Sequence, residues 1–427
     1  MSTSAGNNWT TVRIADVSRR VTVGFVGSQA PHFVDDGVPL LRGQNVKPWR
    51  IDLSNLKFVS PTTHARWVKS ALSAGDVVIV RVGYPGVAAV VPPNMGPLNA
   101  ASLVIVTPDE SRLHSHFLAY LLNSPWGQDA VARRFVGSAQ QVLNTNAVAS
   151  LEVTVPPISD QRRIAGILRS VDSLIENNHR RIELLEQMAQ EIYREWFVRF
   201  RYPGHEDVAL VESTLGLIPA GWDISTCGET LTVLGGGTPS KNEPKYWDGG
   251  TIRWFTPSDL TKRPTRYAAD PERRITEEGL KQSSARLFPG GSVMMTSRAT
   301  LGVLAITTMD SACNQGFIVF PPDGRWPPTF IYEWLDYHAG ELEALGTGAT
   351  FKEITKGAFK RVPFLVPAAD VLRAFRSAVE PIEDEVRLLE AENHNLARLR
   401  DLLLPRLVSG QIDVSKLDLD PVVGSVA

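Results

Sequence analysis

The chain repeats itself, and that duplication limits what it can fold into. From Gly137 to Phe197 it aligns without a gap on Gly348 to Val408, at a constant offset of 211 residues. The stretch VGSAQQVLNTNAVASLEVTVPP falls on TGATFKEITKGAFKRVPFLVPA. Each reads as a small-residue loop, a polar turn, an alternating strand and a proline stop. A repeat of this kind defines the building unit before any local propensity is weighed. Upstream the echo continues with small shifts in offset. LSAGDVVIVRVGYPGVAAV matches LFPGGSVMMTSRATLGVLAI, each predicting a pair of strands. FLAYLLNS matches FIYEWLDY, each predicting a short helix, and NNWTTVRIADV matches AGWDISTCGET. Insertions are therefore confined to the mixed blocks, as expected of two divergent modules on one shared frame.

The invariant part of the repeat is helical. Ile164, Leu168, Val171, Ile175, Asn178, Ile182, Leu185, Ala189, Ile192 and Trp196 alternate spacings of four and three. Their counterparts are Phe375, Val379, Ile382, Val386, Leu389, Asn393, Leu396, Arg400, Leu403 and Leu407. Such a seam over more than four heptads predicts a coiled coil, and the asparagine in each seam, at non-equivalent positions, sets register at a cost in stability. Ser159 or Asp160 is the expected cap of the first helix, which stops before Pro203-Gly204; Pro405 predicts a kink near the end of the second, and Gly410 its stop. Paired antiparallel, helices of this length form a rod on the order of 55 Å, with a mixed domain expected at either end.

Composition excludes several function classes. A chain of 427 residues, 43% hydrophobic and 21% charged, has room for two to four domains with ordinary cores. The two cysteines, Cys227 and Cys313, predict buried thiols rather than a disulfide or metal site. The polar start MSTSAGNNWTT lacks the apolar stretch of a signal peptide, and no run of 18 apolar residues occurs, so a cytoplasmic location is expected. The net charge is −2, but residues 1–150 hold 13 Lys and Arg against 8 Asp and Glu. Nucleic acid is thus allowed through local patches and not through bulk charge. GGGTPSK (Gly235–Lys241) lacks the spacing of a phosphate loop, and the lysines and carboxylate of FKEITK (Phe351–Lys356) have no acidic partner of the nuclease kind. His32, His64, His114 and His116 are scattered and read as surface residues. No catalytic residue and no metal site is predicted.

What remains is a set of polar, basic and aromatic residues in loops of both blocks. In the first these are Arg42, Gln44, Asn45, Arg81, Tyr84, Gln140, Gln141 and Asn144. In the second they are Ser258, Lys262, Arg263, Arg298, Asn314, Gln315, Lys352 and Lys356, with Asp259 beside them. Arginine, asparagine and glutamine can read base edges in pairs of hydrogen bonds, while lysine and arginine hold phosphates. These are the candidate DNA-binding residues.

The segment VPPISDQRRIAGILRSVDSLIENNHRRIELLEQMAQEIYREWFVRFRYPG and the later ENHNLARLRDLLLPRLVSGQID resemble the two conserved regions of type I restriction-modification specificity subunits. IPAGWDISTCGETLTVLGGGTPSK, SACNQGFIVF and TGATFKEITKGAF resemble segments of that family's target recognition domains. The resemblance covers nearly the whole chain and is loosest in residues 1–130. It implies a non-catalytic subunit that reads a split double-stranded DNA target, one half-site per recognition domain. The paired helices then set the unread gap and dock two methyltransferase subunits, which use S-adenosylmethionine to methylate adenine, and a motor-nuclease subunit joins for cleavage. On this reading Leu185, Met188, Ile192, Trp196, Phe197, Leu396, Leu399, Leu403 and Leu407 serve the coiled coil and the methyltransferase interface, with Phe197, off the seam, the first choice for a partner contact.

The expected fold is therefore α+β: two similar mixed α/β target recognition domains separated by a long antiparallel two-helix coiled coil. The expected segments are residues 1–157, the first recognition domain; 158–202, the first helix; 203–368, the second recognition domain; 369–412, the second helix; and 413–427, a tail. The competing reading is a coiled-coil scaffold joining two protein-binding modules without DNA sequence preference.

Overall fold

The structure is a computed structural model and describes residues 8–135, 142–262, 265–268, 270–348, 352–415 and 417. The chain separates into two compact units, residues 1–176 with 394–427 and residues 177–393. Both long helices contribute a segment to each unit.

In the first unit a four-stranded antiparallel sheet runs in the order 88–90, 77–80, 103–108, 18–23. Its strand Val77–Val80, VVIV, is buried throughout. A five-stranded sheet, in the order 33–34, 57–59, 38–41, 98–100, 71–72, lies in the same unit. The helix Ser115–Asn123 buries Phe117, Leu118, Tyr120 and Leu121 against the core. Ser124 caps the next helix, Pro125–Ala132, by accepting from the Gly127 amide, with proline at the first position. A Cβ on Gly127 would sit 2.2 Å from the Leu121 carbonyl oxygen, so only glycine lets the two helices turn so closely.

The second unit repeats this plan. A five-stranded sheet runs 234–235, 317–320, 293–298, 300–307, 267–268, and a three-stranded one runs 273–275, 252–255, 311–313. The helix Pro328–Tyr337 buries Phe330, Ile331, Trp334 and Leu335. The repeat holds to the level of register. Thr10–Arg13 pairs antiparallel with Glu152–Val155, Thr10 opposite Val155, while Asp223–Thr226 pairs with Pro363–Val366, Asp223 opposite Val366. The two cysteines are buried free thiols.

The long helices are Ile158–Tyr193, continued by a π-helical turn over Arg194–Val198, and Ala369–Val408. The first begins before both expected caps, so Ser159 and Asp160 lie inside its first turn, where Asp160 faces the positive end of the helix dipole. The second is helical through Pro405 and ends at Gly410, whose φ of 74° is the left-handed stop. Within each unit the helices run antiparallel. In the first, Ile164 and Leu168 share a core with Leu407, Val408 and Leu404, and Asp172 binds Arg400 at 3.0 Å. In the second, Ile182 packs on Val386 and Leu389, and Asn178 donates to Glu392 at 3.1 Å. The two seam asparagines, Asn178 and Asn393, are both buried, and Asn178 bonds the residue that precedes Asn393 in the chain. All seam side chains are buried or half-buried.

Phe197 is corrected. It is 6% exposed, its ring 4.8 Å from Phe330 and 5.0 Å from Phe375. The π turn, with Arg199 N–H bonded to the Arg194 carbonyl five residues back, swings Phe197 off the outer helix face into the core.

The second unit also buries charge where its recognition domain meets its helices. Arg266 donates to Glu333 at 2.8 Å and to Glu383 at 2.7 and 3.1 Å. Its guanidinium lies 4.1 Å from the Tyr332 ring centroid. The Tyr267 hydroxyl donates to Glu383, and Glu390 accepts the Arg266 and Tyr267 amides at 3.0 and 3.1 Å. Burial alone would lower the Arg266 guanidinium, but Glu383 and Glu333 outweigh it and hold it above its ordinary value. Burial pushes Glu333 and Glu390 up to about 7, against the pull of Arg266 on Glu333 and of the two amides on Glu390.

The sign of the pH dependence follows. An unfolded glutamate ionises near 4.5 and these two near 7, so between those values the folded unit holds protons that the unfolded chain has released. Stability of the second unit should fall as pH rises through that window, by up to roughly 1.4 kcal/mol per pH unit for each proton. Denaturant unfolding at pH 5.5 and pH 8 should show this slope, and Glu390→Gln should flatten part of it.

Candidate nucleic-acid interface

Strands and turns bring most of the predicted residues of each unit to one cluster of loops. In the second unit these are the loops around 235–238, 256–258, 297–300, 314–316 and 352–356. They are tied together by the backbone. The Ser297 amide donates to the Gly316 carbonyl at 2.7 Å, the Ile354 amide to Ser297 at 2.9 Å, and the Gly237 amide to Cys313 at 2.9 Å. Arg298 is exposed and bonds Glu353 at 2.8 Å, next to exposed Lys352. Ala299, between Arg298 and the next strand, has φ 62°, so the hairpin tip is tightly turned. Gln315 is exposed, and its carbonyl oxygen accepts from Thr238 at 2.6 Å, leaving its amide nitrogen for a ligand. Asn314 is half-buried and accepts from the Gly316 amide at 2.8 Å. Ser258 is exposed at the start of the helix Pro257–Lys262, its hydroxyl 2.8 Å from that of Thr256. Lys356 opens the helix Lys356–Lys360, and its ammonium nitrogen lies 2.7 Å from where a Cβ on Gly235 would stand. That glycine is the signal in GGGTPSK: it admits a lysine, not a phosphate. Lys262 sits at the far end of its helix, 3.4 Å from Glu272. Arg263 lies outside the described residues.

The first unit gathers loops 42–45, 81–86 and 143–144. The Leu143 amide donates to the Arg81 carbonyl and the Arg81 Nε to the Leu143 carbonyl, each at 3.0 Å. The amide bond is the repeat counterpart of Ile354 to Ser297, so one cross-loop tie holds both clusters. Tyr84 stands at the hairpin tip, 82% exposed, flanked by exposed Val82 and by Gly83 and Gly86 at φ 90° and 95°. Gln44 and Asn144 are exposed, and Asn144 caps the helix Thr145–Ala149 through its carbonyl oxygen. Arg42 is half-buried, donates to the Asn55 carbonyl at 3.0 Å and lies 5.8 Å from the Phe33 centroid. Gln140 and Gln141 lie outside the described residues.

Asn45 is corrected. It is fully buried, donates to the Asp52 and Ser54 carbonyls, both at 3.1 Å, and accepts from the Arg42 amide at 3.2 Å. It shapes the loop from beneath and has no face for a base. The histidines are corrected too: His114 and His116 are half-buried, with burial lowering His116 to about 3, and His64 Nδ1 bonds the buried Asn99 amide at 2.9 Å. Thr238, which orients Gln315, was not anticipated; its only trace in the sequence is a hydroxyl following the glycines.

On the helices, Met188 and Leu399 are 53% and 46% exposed, and they are counterparts at the 211 offset. Leu407 is 1% exposed and belongs to the first unit's core, which removes it from any partner face. Leu403, Ile192 and Trp196 pack half-buried on their cores, Leu185 on the Ile182 cluster, and Leu396 is half-buried. Leu184, Leu388 and Leu402 are the more exposed apolar positions, at 60%, 63% and 60%.

A sequence profile for the type I restriction modification DNA specificity domain matches residues 74–187 and again 219–373, together more than half of the chain. The chain belongs to the type I restriction-modification specificity subunits. The MjaX specificity subunit of Methanocaldococcus jannaschii is 21% identical over 95% of this chain and 94% of its own. The HindI specificity subunit of Haemophilus influenzae is 22% identical over 95% and 100%. The MjaIX specificity subunit of M. jannaschii is 31% identical over 48% of this chain and 46% of its own. The crystal structure of a type I system S subunit from M. genitalium shares the fold, with a TM-score of 0.59 over 95% of this chain and 99% of that one, at 14% identity. Specificity subunits are the non-catalytic members of type I systems. No group of three or more metal-binding side chains occurs among the described residues, and no described helix is long and apolar enough to cross a membrane.

Two substitutions separate the loop's surface from its support. Tyr84→Ala should leave the unfolding midpoint of the first unit unchanged. Asn45→Ala, which strands two carbonyls and an amide, should destabilise it by about 2 kcal/mol in denaturant titration.

Proposed function

We propose that this subunit reads a bipartite double-stranded DNA target, one half-site per unit, for a type I restriction-modification complex. The observation that carries the reading is the duplicated loop cluster. The same backbone tie, Leu143 to Arg81 and Ile354 to Ser297, holds two sets of different side chains. A shared frame with unlike polar tips is what two readers of unlike half-sites require. The chemistry of exposed Gln315 and Arg298 suits base edges, and that of Lys352 and Lys356 suits phosphates; Tyr84, Gln44 and Arg81 are the first unit's counterparts in this reading. The helical pair sets the gap between half-sites. Met188 and Leu399, exposed at equivalent positions, fit two copies of one partner, the methyltransferase subunit, with S-adenosylmethionine bound there and not in this chain. A motor-nuclease subunit completes the complex, in the cytoplasm.

The test is methylation of a randomised DNA library by the subunit assembled with its methyltransferase partner. Gln315→Ala should relax base preference in one half-site and leave the other intact. Lys356→Ala should weaken binding across all sequences and reduce the salt slope by about 1. A change in both half-sites on Gln315→Ala would contradict modular reading.

A further inference from the structure

Each unit joins its recognition domain to its helices through one arginine–carboxylate latch, fully buried in the second unit and half-buried in the first, and the two latches are inverted copies. In the second unit the carboxylate is Glu383 on the second helix, and the cation is Arg266 from the recognition domain. In the first unit the counterpart of Glu383 at the 211 offset is Asp172, on the first helix. It accepts from the Tyr120 hydroxyl at 2.5 Å and from Arg400 at 3.0 Å, and here the arginine comes from the other helix. The Arg400 guanidinium lies 3.9 Å from the centroid of Trp49, which the domain supplies. Burial and the Asp172 charge hold the Tyr120 phenol well above its ordinary value, so it stays a donor.

The matching positions confirm the inversion. Tyr120 aligns with Glu333 in the short helices FLAYLLNS and FIYEWLDY. Arg400 aligns with Ala189, which is completely buried. So where one helix carries a cation the other carries a methyl group; both domains offer a phenol to the helix carboxylate, and only the second adds a carboxylate and a guanidinium.

We infer that the latches are keys that decide which recognition domain each helix pair accepts. Glu383 and Ala189 accept only a domain that brings its own buried cation. Asp172 and Arg400, already paired with each other, accept only one that brings a neutral donor and an aromatic face without a further guanidinium. The wrong domain on the second pair would leave Glu383 buried without a counter-charge. The wrong domain on the first would press a second guanidinium, with Glu333, onto an aspartate already paired with Arg400. Buried ion pairs tolerate neither, since a stranded charge costs far more than the intact pair contributes. Any new second domain exchanged into this subunit must therefore carry a cation at the place of Arg266.

The experiment moves the cation across the interface in the full chain. Thermal unfolding of the second unit is measured for the natural protein, Arg266→Met, Ala189→Arg and the double variant. Arg266→Met should lower the midpoint on the order of 10 °C by stranding Glu383 and Glu333. Ala189→Arg alone should also lower it, because the site already holds a cation. The double variant should regain at least half of the loss caused by Arg266→Met, as the first unit's arrangement predicts. If Arg266→Met yields no folded protein, recovery of folded protein in the double variant is the same positive result. A double variant whose loss equals or exceeds the sum of the single losses, or that stays unfolded, overturns the inference.

Discussion

The antiparallel contact of the two long helices is what the rest of each unit rests on. In each unit the helix pair supplies core residues that the recognition domain lacks. In the first unit Leu404, Leu407 and Val408 complete the core around Phe117 and Leu168. In the second Tyr193, Phe197 and Phe375 do so around Phe330. The helices are amphipathic with little intrinsic stability, so the packed face is where their stability comes from. The buried asparagines Asn178 and Asn393 make that contact specific. Neither amide atom of Asn393 has a hydrogen-bond partner, a cost that an apolar layer would avoid and that only one alignment of the helices keeps small.

Much of this was legible in the sequence because the repeat supplied two readings of one structure. The seam positions face inward, and the strands at 10–13 and 152–155 pair in the register of 223–226 and 363–366. What stayed hidden depends on contacts between distant segments. A π turn has no signature in a heptad pattern, so Phe197 looked external. Asn45 carries the chemistry of a base reader, and only three-dimensional proximity to Asp52 and Ser54 reveals that its hydrogen bonds are spent. The latches were equally invisible, because Asp172, Glu383, Arg266 and Arg400 look like ordinary surface charges until the fold buries them.

The loop clusters express the opposite logic. Their backbone ties are shared between units, while the side chains at their tips are not. Arg81 and Ser297 occupy matching places and have nothing in common but a carbonyl that accepts the same bond. Invariance is carried by the backbone and the helices, and variation is left to exposed side chains. That division is what the proposed reading of two unlike half-sites calls for.

The most direct measurement is base-modification mapping of the source genome with this gene intact and deleted. A split motif with a fixed gap should be methylated in the intact strain and lose its methyl groups on deletion, while all other motifs persist. If the assembled methyltransferase complex is present and no split motif depends on this gene, the account of the chain as a reader of two half-sites is wrong.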